Sequence, residues 1–77
     1  MSVRISFANL EKMMKECAPG CTIRLATHSR VVTFGNLVFR TLPKYDEIDI
    51  NYIRKLVRSL EIDRECAERH LPQLKKH

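Results

Sequence analysis

Apolar positions in this chain repeat first with a helical period, then with a period of two, then with a helical period again. Leu10, Met13, Met14 and Cys17 fall at i, i+3, i+4 and i+7, which puts them on one face of a helix. Ser6 can cap that helix, and Ile5 and Leu10 have the spacing of a hydrophobic staple. Pro19-Gly20 stops it, so the pattern predicts a helix over 7–17. Cys21, Ile23 and Leu25 then alternate with Thr22, Arg24 and Ala26, the signature of a half-buried strand. Arg30–Phe34 and Leu37–Leu42 read as two more strands, joined by Gly35-Asn36, a dipeptide suited to a tight hairpin. Thr27–Ser29 turns the first strand into the second.

Pro43 ends the sheet and Lys44–Glu47 form a polar connection. Asp49 is the expected cap of a second helix, with Ile48 and Ile53 as a second staple. Ile50, Ile53, Leu56, Val57 and Leu60 supply its buried stripe to about residue 60, with Arg54, Lys55 and Arg58 on the other side. Asp63 caps a short last helix carrying Ala67 and Leu71, and Pro72 ends it. The expected fold is α+β: a three-stranded antiparallel sheet with helices on one face, in the order α-β-β-β-α-α. Residues 1–77 form a single domain with its core over about 5–71, and 72–77 read as a frayed tail.

Composition narrows the picture little further. With 44% hydrophobic and 30% charged residues, the chain can bury one thin core. No apolar run approaches the roughly 18 residues of a membrane span, and the cytoplasm is the default compartment. Three cysteines, an odd number, fit reduced thiols there better than a disulfide framework. The net charge of +5 gains meaning from its distribution, because residues 17–45 contain no Asp or Glu. Arg24, Arg30, Arg40 and Lys44 lie in that stretch and are the candidate phosphate contacts of an RNA-binding surface.

His28 is the candidate catalytic residue, set among small polar residues at the end of the first strand. Imidazole exchanges a proton near neutrality, and RNA cleavage requires one proton to leave the 2′-OH and another to reach the 5′-oxygen. Its plain alternative is a solvent-exposed turn residue. A second constellation is Cys17-x3-Cys21 with Cys66-x3-His70, a set that could close around zinc if the helix ends met. Against it, the first pair straddles Pro19-Gly20 without a knuckle pattern, and cysteine is often simply buried. No cofactor is expected on this reading. Gly-rich phosphate loops and nucleophile motifs do not occur, and the five aromatics do not form a base-stacking platform of the RRM type.

Over residues 8–71 the chain resembles the HicA family of toxins. The resemblance is carried by Leu10-Glu11-Lys12-Met13-Met14-Lys15 in the first helix, Tyr52-Ile53-Arg54-Lys55-Leu56-Val57 in the second and Asp63-Arg64-Glu65 at the start of the last. It implies a double-stranded-RNA-binding-like fold, messenger-RNA cleavage with His28 as the catalytic residue, and neutralisation by a HicB-type antitoxin. Ala26-Thr27-His28 stands where the family has Gly-Ser-His, and Asp46-Glu47 where the family is commonly basic. The expectation is an RNA-acting domain, a metal-independent endoribonuclease. A non-catalytic module binding nucleic acid or a protein is the alternative, and the uncovered sheet face leaves room for an antitoxin or a homodimer.

Overall fold

In the computed structural model, which describes residues 3–75, the three helix starts form where the capping residues place them. Helix α1 (Phe7–Cys17) begins after Ser6, whose side chain accepts from the Asn9 amide at 3.2 Å. Helix α2 (Ile50–Ser59) follows Asp49, which accepts from the Asn51 amide at 2.8 Å. Helix α3 (Arg64–His70) follows Asp63, which accepts from the Glu65 amide at 3.2 Å. Each cap satisfies a donor that the first helical turn leaves without an intrahelical partner.

Leu10, Met13 and Met14 from α1 meet Ile53, Leu56 and Val57 from α2 and Ala67 from α3 in one apolar cluster. The sheet closes that cluster from the other side. It is antiparallel, in the order β2 (Thr22–Leu25), β3 (Arg30–Phe34), β4 (Leu37–Leu42). Ile23, Val32 and Phe39 stand opposite one another across it and face the core. Between β3 and β4 only Gly35 takes a positive φ, +62°, which is the conformation that glycine tolerates at no steric cost.

Register breaks once. Arg30 pairs with Leu42 and Val32 with Phe39, so Arg40 and Thr41 together oppose Val31. This β-bulge lets both Phe39 and Leu42 point inward despite their odd separation. The Ser29 hydroxyl stitches it by donating to the Arg40 carbonyl at 2.6 Å.

A second, two-stranded sheet pairs β1 (Arg4–Ser6) with β5 (Glu47–Asp49), antiparallel, and was not anticipated. Ile5 and Ile48, expected as separate staples for two helices, are directly opposed in this ladder and both buried. It extends at both ends, where the Phe7 amide donates to Asp46 O at 2.7 Å and the Ile50 amide to Val3 O at 2.8 Å. The starts of α1 and α2 are therefore tied to each other.

The C-terminal segment also differs from expectation. Pro72–Lys75 form a 3-10 turn rather than a frayed tail, and Leu74 packs against the core; the rest of that tail, Lys76 and His77, lies outside the described residues. The break between α2 and α3 falls at 61–63 as expected, although no glycine enforces it. Glu61 occupies the left-handed region at φ +53°, its amide donating to Arg58 O and the Ile62 amide to Val57 O. These are the two bonds of a Schellman cap, with a charged residue where glycine is usual. Glu61→Gly should therefore relieve strain, changing stability by between zero and about +1 kcal/mol once the added freedom of the unfolded chain is offset. A urea melt showing a loss of more than about 1 kcal/mol would contradict this account of the turn.

Candidate nucleic-acid interface

His28 sits at the exposed tip of the β2–β3 turn, which is closed by the Ala26 amide donating to Ser29 O at 2.7 Å. It lines an open groove. One wall is the turn itself and the other is Pro43, Lys44 and Tyr45, which follow β4. Arg4, Glu47 and Asp49, from the small β1–β5 ladder, line it further along with Tyr52 from α2. Lys44 reaches across the groove and donates from Nζ to the Thr27 carbonyl at 2.7 Å, one residue from His28. The ammonium has two further hydrogens for an incoming acceptor.

Two tyrosines join this site that the sequence does not mark as site residues. Tyr45 is 74% exposed and Tyr52 39% exposed. Lys55 Nζ lies 5.9 Å from the Tyr52 ring centroid, within cation–π range. The signal for them is the placement of both rings off the apolar stripes of the neighbouring elements.

The four basic candidates separate into three places. Lys44 is in the groove. Arg24 and Arg40 lie outside it, both exposed, on the sheet face turned away from the core. Arg24 pairs with Val31 across β2–β3, and Arg40 lies at the bulge opposite the same Val31, so the two flank one position of that face. Arg30 goes inward. It is 8% exposed, with NH1 donating to Pro43 O at 2.7 Å and to Tyr45 O at 2.9 Å, and its guanidinium stands 3.7 Å from the Phe7 ring centroid. Those partners correct its expected role: Arg30 holds the 43–45 connection in place, and with it the wall carrying Lys44 and Tyr45.

The groove's charge is balanced. Arg4 and Lys44 line it together with Glu47 and Asp49, whereas the outer sheet face carries Arg24 and Arg40 with no acidic residue on its strands. Basic charge is therefore less compensated on the sheet face beside the groove than inside it.

At the other end of the molecule the cysteines depart from expectation. Cys17, the last residue of α1, and Cys66 on α3 form a disulfide, with Cα atoms 5.6 Å apart. The helix ends do meet, and His70, one turn beyond Cys66, joins them. Cys21 does not belong to this group and is a half-buried free thiol. Burial pushes its pKa up, partly offset by a backbone hydrogen bond, which keeps it protonated at neutral pH.

Among the described residues no helix is long and apolar enough to cross a membrane. No family model, curated protein or solved structure matches this chain.

Proposed function

We propose that this chain acts on RNA through the His28 groove, as a metal-independent endoribonuclease of the HicA-like kind. The observation that carries the reading is the convergence of His28, Lys44 and two exposed tyrosines on one groove beside an acid-free basic sheet face. Each part has a task in cleavage by attack of the 2′-OH. His28 moves a proton to or from the reacting oxygens, and Lys44 offsets charge developing on the phosphate. Tyr45 and Tyr52 offer ring faces on which unpaired bases can stack. Arg24 and Arg40 take the phosphates that run on past the groove. Glu47 supplies a carboxylate as the second proton-transfer group that such a reaction needs. A HicB-type antitoxin would silence the site by covering this same face.

A second reading is favoured by one feature. Glu47 and Asp49 cancel Arg4 and Lys44 within the groove, which suits a module that binds RNA on its sheet face without cleaving it.

Cleavage of single-stranded RNA by wild type and His28→Ala, with a chelator present, separates the two. A loss of about 10²–10⁴-fold in the variant, at unchanged circular dichroism, is the expected result. If neither protein cleaves while RNA binding still falls steeply with salt, the binding module replaces the nuclease.

A further inference from the structure

The corner where α1 and α3 meet shares no residue with the His28 groove and holds three side chains of a different chemistry. Cys17 Sγ, Cys66 Sγ and a ring nitrogen of His70 all lie within 4.8 Å of one another. Cys66 and His70 are four apart on α3, hence on one face, and Cys17 approaches from the end of α1. Two sulfurs and an imidazole converging from two helices are a donor set for a thiophilic, borderline-soft cation.

Geometry decides which cation state this corner can hold. Two thiolates on one tetrahedral zinc, with Zn–S of about 2.3 Å, stand roughly 3.8 Å apart. A disulfide holds its sulfurs much closer and leaves neither with thiolate charge, so the two states exclude one another. The two sulfurs belong to half-buried residues and His70 is exposed, and all three ligand atoms already lie within 4.8 Å of one another. The last turn of the 11-residue α1 adds its carbonyl dipoles at Cys17, which favour a cation there.

We propose that reduction of the Cys17–Cys66 disulfide turns this corner into a Zn²⁺ site with Cys17, Cys66 and His70 as ligands and water in the fourth position. A dithiol reductant supplies two electrons and two protons, becoming a disulfide itself as the Cys17–Cys66 bond breaks. Zinc binding then releases both thiol protons to solvent. One corner thus carries two alternative cross-links between α1 and α3, the disulfide under oxidising conditions and the metal under reducing ones.

Cobalt(II) titrated anaerobically into the reduced full-length protein tests this. The expected result is saturation at one equivalent with a thiolate-to-cobalt charge-transfer band and intense tetrahedral d–d absorption. The disulfide form should show neither. His70→Ala, a change at an exposed residue, should weaken binding by at least about tenfold, while Cys21→Ser leaves it unchanged. Metal-driven refolding of a loosened reduced protein would give the same bands and count equally. Absence of the charge-transfer band in reduced wild type overturns the proposal. So does loss of binding in Cys21→Ser, or equal affinity in His70→Ala, either of which would place the metal elsewhere.

Discussion

Reducing the Cys17–Cys66 disulfide in the presence of a chelator should lower the stability of this domain by about 4 kcal/mol, the loop-closure value for cysteines 49 residues apart. The cross-link encloses the whole sheet and α2, so opening it frees most of the unfolded chain. A 77-residue domain has a total stability of only ~4–12 kcal/mol, so the loss is a third of it or more. Urea melts of oxidised and reduced protein would measure it, and a Cys17→Ser/Cys66→Ser variant should match the reduced form. A difference under about 1 kcal/mol would mean that α1 and α3 are held by packing alone. Added zinc should restore part of the loss in the reduced protein, because a ligand that binds only the folded state stabilises it by mass action.

Arg30→Ala should cost about 3 kcal/mol, from two hydrogen bonds made by a charged donor and one cation–π contact. Arg30 NH1 serves both the Pro43 and Tyr45 carbonyls, and its guanidinium covers the Phe7 ring. Truncation leaves two carbonyls without their partner and opens space beneath the first turn of α1. Arg30→Lys should recover less than half, because an ammonium lacks the planar fork that stacks on a ring while donating sideways. Amide exchange should quicken at 44–46 in both variants, since that connection loses its tether. The opposite pattern, full stability with RNA binding weakened by the lost charge, would return Arg30 to the phosphate-contact role that its position beside His28 first suggested.

What was readable from sequence shares one property: it rests on interactions between residues close along the chain. Ser6, Asp49 and Asp63 each bond an amide two or three residues on, so each helix start is written locally. The Gly35 turn and the strand alternation are equally local, and they set the α+β class and the order of its main elements. β1 and β5 escaped notice because three residues are too few to show a period. Ile5 and Ile48 were visible as apolar and helix-adjacent, but their pairing joins positions 43 residues apart.

The candidate site divides along the same line. His28 and Lys44 were singled out by residue type, and the groove does contain both. Arg30 was misjudged because it stands before two consecutive valines, a run that does not say which face is inside. The pairing of Val32 with Ile23 and Phe39 settles that question, since it puts the Val32 face inside and Arg30, two residues earlier, on the same face. Tyr45 reaches the groove from a connection that Arg30 tethers across the fold, and Tyr52 from the first turn of α2, whose start the β1–β5 ladder fixes. The cysteines make the same point in reverse, since their spacing suggested a four-ligand set and the packing of α1 on α3 selects three members and leaves Cys21 apart. By itself, then, the sequence determined the three helices, the three main strands and their order, because caps, turns and periodicity act over a few residues. The tertiary structure alone decided which charges face solvent and which side chains share a site, because those depend on register and helix packing between distant parts of the chain.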